Sequence, residues 1–177
     1  MKKPIFACVA LTIFTLTLAG FAQDTPKATV EAFYRYDRSH SQTFNRKNIE
    51  ARKRWFSAEL YNLFLNELKR EATYLKKNPT DKPFFGDGLP FQPLKEKCEA
   101  GFDRGLVIKQ DFVRGNRAAA TANFAYPKAC GGDPSAEWKV PVVYTIGLTK
   151  TRSGWVIDDI NYGEDTTLKQ RLQRKEY

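Results

Sequence analysis

Apolar residues along this chain change their period three times, and each change marks a new kind of segment. Behind Lys2 and Lys3, the stretch Ile5 to Leu18 is apolar or hydroxylated and carries no charge. It ends at Gln23-Asp24-Thr25-Pro26, short of the ~20 apolar residues that a membrane-spanning helix needs. From there Val30, Phe33 and Tyr34 recur at helical spacing behind a Thr25 cap and Pro26, which predicts a first helix. A second helix is expected from Phe44 to Trp55. Ser57 then caps a third, in which Leu60, Tyr61, Phe64, Leu65, Leu68, Ala72 and Leu75 form one apolar stripe.

From Asn78 to Pro93 prolines and glycines interleave with Phe84, Phe85 and Phe91, which forbids regular structure and predicts an ordered loop with apolar anchors. The period then becomes two. Leu106, Ile108 and Phe112 alternate with Lys109 and Asp111, so Gly105 to Val113 reads as a strand with one wet face. Arg114-Gly115-Asn116-Arg117 is a hairpin signal, and Ala118 to Tyr126 is the return strand. Its run of alanines leaves room for a bulky element to approach. Trp138 to Leu148 alternates again, with Pro141 marking an edge or bulge. Ser153-Gly154 turns the chain into a last strand, Trp155 to Tyr162, and Asp165 or Thr166 can cap a short terminal helix. Helices first and a meander afterwards specify an α+β domain: N-terminal helices packed on an antiparallel sheet of about four strands, closed by a short C-terminal helix.

Charge and cysteines turn the first segment into a statement about compartment. Residues 1–22 have the charged start, apolar middle and small residues (Gly20, Ala22) of a cleavable secretory signal, leaving residues 23–177 as one domain. Phe21 stands where a lipoprotein would have its cysteine, so the expected product is periplasmic or secreted and not lipid-anchored. An uncleaved N-terminal tether is the alternative. Of the 29 lysines and arginines, removal of Lys2 and Lys3 leaves 27 against 20 acidic side chains, a mature charge of +7. Cys8 lies inside the signal, so Cys98 and Cys130 are the remaining thiols, and in an oxidising compartment a structural disulfide is expected.

The element order, with the closing segment Gly154-Trp155-Val156-Ile157-Asp158-Asp159-Ile160, resembles the nuclear transport factor 2-like or cystatin-like cone. Phe33-Tyr34 and the run Arg52 to Tyr61 are similar to an uncharacterised family of bacterial exported proteins. The resemblance implies a curved sheet around a helix, often enclosing a pocket. That fold hosts enzymes, binding modules and structural domains alike.

Three sets of residues are candidates for chemistry. Within such a cone an aspartate base in an apolar pocket can work with a tyrosine hydroxyl, which nominates Asp158, Asp159, Tyr144 and Tyr162 for a small isomerase, dehydratase or hydrolase. Adjacent on a strand, the two aspartates should point to opposite faces; the alternative is that they face solvent or bond nearby backbone. Phe84, Phe85, Phe91 and Tyr144 are candidates for binding a small apolar ligand, the alternative being core packing. Arg46, Lys47, Arg52, Lys53 and Arg54 form a basic helix, either a solvated face or a docking surface for an anionic envelope component or an acidic protein, as in an inhibitor or immunity-type protein. Export argues against nucleic acid. His40 alone supports neither a triad nor a metal site, and neither a calcium loop nor any other cofactor motif is present. The leading expectation is a non-enzymatic exported module binding an apolar ligand or an envelope protein through its concave sheet face and Pro/Phe-rich rim.

Overall fold

The computed structural model describes residues 25–93, 105–124, 142–163 and 166–175. The expected signal segment, residues 1–22, and Cys98, Cys130, Trp138, Pro141 and Asp165 lie outside these described residues.

Helix α1 runs Pro26–Arg38, and the Thr25 hydroxyl accepts from the Ala28 amide at 3.1 Å, as the N-cap reading requires. Val30, Phe33, Tyr34 and Asp37 form its buried face. The expected second helix is divided: Asn45 caps α2, Arg46–Arg52, and a 3-10 turn over Lys53–Trp55 tightens its end. Helix α3 spans Ala58–Lys77 behind the Ser57 cap.

The buried stripe of α3 departs from the sequence pattern. It runs Leu60, Phe64, Glu67, Glu71, so its second half is carboxylate, while Ala72 is exposed. Partners make this possible. Glu67 receives the guanidinium groups of Arg70 and Arg174, and Glu71 accepts the Phe85 amide at 2.9 Å. Burial raises the Glu71 pKa above the usual carboxylate value, with Glu67 four residues away adding to it. The two glutamates thereby fasten the C-terminal segment and the 78–93 loop to one helix.

That loop is ordered by its anchors, as expected. Phe85, Leu89 and Phe91 are buried, and the Leu89 amide bonds the Gln42 carbonyl at 2.6 Å. Gly88 beside it has φ 126°, and a Cβ there would stand 2.9 Å from that same carbonyl oxygen, so only glycine fits.

Four antiparallel strands, β1 (Leu106–Arg114), β2 (Arg117–Phe124), β3 (Val142–Thr151) and β4 (Gly154–Asn161), pair in sequence order as an open sheet. Gly115 takes φ 60° in the two-residue turn between β1 and β2. Across the sheet the rows Ile108–Ala122–Tyr144, Ala120–Ile146–Ile160 and Ala118–Leu148–Ile157 face the helices. The alanines of β2 do what their size suggested, since α1 lies against β1, β2 and β4. Phe33 sits at the centre of this layer, its ring 5.1–5.9 Å from those of Tyr34, Trp55, Phe56 and Phe91. The start of α3 is pinned to β4 by the Ser57 amide on the Ile157 carbonyl, 2.8 Å. Helix α4, Leu168–Leu172, closes the order. Its cap is Thr167, in a capping box with Gln170 and one residue beyond the expected Thr166.

Candidate functional site

The aspartates proposed as a base do not point to opposite faces. Register runs from Gly147↔Asp159 to Leu148↔Ile157, leaving Asp158 as the extra residue of a bulge. A bulge breaks the strict alternation on which the opposite-face expectation rested, and both carboxylates meet Lys169 of α4. Its amide bonds Asp159 Oδ1 at 3.0 Å, and its Nζ lies 3.1 Å from Asp158 Oδ2. Asp158 also pairs with Arg117 at 3.0 Å, and Lys169 with Glu59 at 2.7 Å. Burial works to raise the Asp158 pKa, but the Ser57 hydroxyl, the Lys169 ammonium and Arg117 outweigh it, and the net shift is downward from 3.8. An ion-paired carboxylate held in its charged form lacks the raised pKa of a general base in an apolar pocket.

The sign of this shift gives a prediction. A depressed carboxylate pKa contributes stability that is present above its unfolded value, 3.8, and is lost as pH falls through the lower folded value. Asp158→Asn should therefore lower stability at neutral pH by about 1 kcal/mol and flatten the stability profile below about pH 4. Urea denaturation across that range checks both; an unchanged acid limb would refute the ion-pair assignment.

Tyr144 and Tyr162 pack against each other on the helical side of the sheet. Tyr144 is buried, with ring centroids 5.1 Å from Phe124 and 4.9 Å from Tyr162. The Tyr162 hydroxyl donates to the Pro90 carbonyl at 2.7 Å, and burial raises its pKa far above 10. Tyr34 is fully buried beside them, its hydroxyl without a hydrogen-bond partner among the described residues. Asp159 is near enough for its charge to add to the rise in the Tyr162 pKa, yet among the described residues neither tyrosine hydroxyl bonds either carboxylate. Of the ligand candidates, Phe85 and Phe91 are core residues, and Phe84 lies exposed under the Arg174 guanidinium, 3.6 Å from its ring centre. The helical side of the sheet, expected as a concave binding face, is thus packed by α1, α3 and the Pro/Phe loop.

The basic helix is also less uniform than its sequence. Arg52 is fully buried: its Nε bonds Asp37 Oδ1 at 2.7 Å, its terminal nitrogens reach the Asn48 and Ser41 carbonyls at 3.0 Å, and Gln92 completes the shell of Asp37. It cannot belong to a docking face. Arg46 pairs with Glu50 at 3.2 Å, and Arg54 stacks 3.9 Å over the Trp55 ring. Lys47 and Lys53 are exposed.

Exposed apolar surface collects elsewhere, on the outer sheet face and around the β1–β2 hairpin. Val107 is 63% exposed, Phe112 53%, Val113 48% and Val143 44%, against 8% or less for the helix-facing rows. The alternation put Phe112 with Leu106 and Ile108. A register shift between Gln110 and Phe112 moves it to the opposite face, paired with Ala119 and on the same side as Lys109 and Asp111, whose carboxylate accepts from Thr121 at 2.7 Å. From Lys109 to Arg114 every residue of β1 is exposed. The β3–β4 turn lies beside this hairpin, tied to it by the Lys150 amide on the Asn116 carbonyl, 2.8 Å. Exposed Arg114, Arg117, Lys150 and Arg152 thus lie at the same end of the sheet as Phe112, on the outer face, and Val113, on the other. A cleft of about 650 Å³ opens further along β1, between Leu106 and Ile108 on the strand and Glu31, Arg35, Arg38 and Ser39 on α1.

No family model matches the chain, and no curated protein matches it. Among solved structures, a chain of the type VI native effector–immunity complex Tae3-Tai3 from Ralstonia pickettii is similar, at a TM-score of 0.47 and 15% identity, over 81% of this chain and 99% of that one.

Proposed function

We propose that the protein is an exported, non-enzymatic binding module that docks an acidic protein partner, in the manner of an inhibitor or immunity-type protein. The observation that carries this reading is the end of the sheet where Phe112 stands exposed on the outer face beside Arg114, with Val113, Lys150 and Arg152 exposed at the same end. Exposed apolar side chains beside a mainly basic rim, with Asp111 among them, are the composition of a protein-binding patch: the centre supplies desolvation energy, the rim steers the partner. The core leaves the same inference from the other side, since the aromatic residues of the helical face are committed to packing. The helices-first order followed by a four-stranded meander supports carrying the nuclear transport factor 2-like resemblance as part of this reading, and export remains the expected route to the partner.

Phe112→Asp should weaken partner binding by at least about 2 kcal/mol, because a buried contact at a patch centre is replaced by a charge. Folding stability should change by less than about 0.5 kcal/mol, because Phe112 is half exposed. Charge reversal at Lys53 and Arg54, on the basic helix, should leave binding unchanged. Immobilised wild type and variants, compared for partners captured from an envelope extract by mass spectrometry and for urea midpoints, read all three. Capture that survives Phe112→Asp and disappears with Lys53→Glu/Arg54→Glu would move the docking surface to the basic helix.

A further inference from the structure

We infer that the free edge of β1 is a strand-acceptor site, into which the partner inserts an extended acidic segment; this rests on the protein-binding reading and specifies its chemistry. Among the described residues β1 pairs with β2 alone. Leu106 and Ile108, in the N-terminal half of this strand, form one wall of a cleft whose other wall is the C-terminal part of α1. A helix alongside an edge strand, with a gap between them, is the geometry that accepts an added strand: backbone groups extend the ladder while alternate side chains enter the cleft. The C-terminal half of the same strand leads out to Val113, which pairs with Ala118 on the side of the cleft, and to Phe112 on the outer face beyond the bulge.

Charge selects the occupant. Arg35 borders the cleft, and Lys109 and Arg114 follow along β1. Of the nearby carboxylates, Glu31 is paired with Lys27 at 3.7 Å, and Asp111 accepts from Thr121 beyond the cleft. A segment alternating Glu or Asp with Val or Ile satisfies both requirements. The β1 edge is also protected from indiscriminate pairing. The bulge at Asp111 and the flanking Lys109 and Arg114 are devices that discourage a second copy of this basic chain from adding to it.

The test uses the full mature chain and a labelled peptide of alternating glutamate and valine, with a lysine–valine peptide and a glutamate–valine peptide N-methylated at alternate residues as controls. The acidic peptide should bind and slow amide exchange across 106–114. Backbone methylation or reversal of peptide charge should abolish binding, and Arg35→Glu should weaken it at least about fivefold. Binding that tolerates N-methylation, or that leaves exchange at 106–114 unchanged, overturns strand insertion. Because Phe112→Asp can still abolish partner capture in that case, failure of this inference is separable from failure of the docking surface.

Discussion

Replacing Arg52 with alanine is expected to destabilise the fold by about 3–5 kcal/mol, because it leaves Asp37 as an uncompensated charge in the interior. Both side chains are fully buried, and the pair joins α1, α2 and the 78–93 loop through Asn48, Ser41 and Gln92. Against a total margin of about 5–15 kcal/mol this is a large fraction. The cost belongs to the orphaned charge, not to the pair as such. A double replacement, Asp37→Leu with Arg52→Met, should therefore recover most of the loss. Urea denaturation of the single and double variants measures both; a single-variant loss below about 1 kcal/mol would contradict the assignment.

Phe91→Ala is expected to cost about 3–5 kcal/mol, the price of an unfilled cavity in a packed aromatic cluster. Its ring lies 5.2 Å from Phe33, 5.4 Å from Phe56 and 5.6 Å from Phe64, and it is wholly buried. Phe84→Ala, by contrast, should cost about 1 kcal/mol or less, since Phe84 is half exposed and contributes a cation–π contact with Arg174. A loop acting as a ligand gate would reverse this order, with Phe91 replaceable at little cost. Thermal denaturation of the two variants distinguishes the cases.

Much of the fold was legible in the sequence because local rules and tertiary packing agree. Thr25, Ser57 and the Gly115-Asn116 turn each act where a short-range rule places them. The α+β order, the four-stranded meander and the alanine-lined seat for α1 follow from period alone. What the period could not reveal were the places where a distant partner or an inserted residue overrides it. Glu67 and Glu71 look like the wet face of α3 until Arg174 and the Phe85 amide arrive from far along the chain. Arg52 looks like one of five solvated bases until Asp37 meets it. The candidate site was harder to read for a related reason. One extra residue in β1 and one in β4 shift parity, bringing Phe112 to the outer face and Asp158 and Asp159 to the same lysine. A bulge leaves no mark in a hydrophobic pattern beyond a break in alternation, and Asp111-Phe112-Val113 is such a break.

The docking surface is tested most directly by site-specific photocrosslinking in the producing cell, with a benzoylphenylalanine placed at Phe112 in one variant and at Lys53 in another. A discrete crosslink to a protein partner is expected from position 112, suppressed by charge reversal at Arg114 and Arg152, and none from position 53. A crosslink from position 53 with none from position 112 would contradict it.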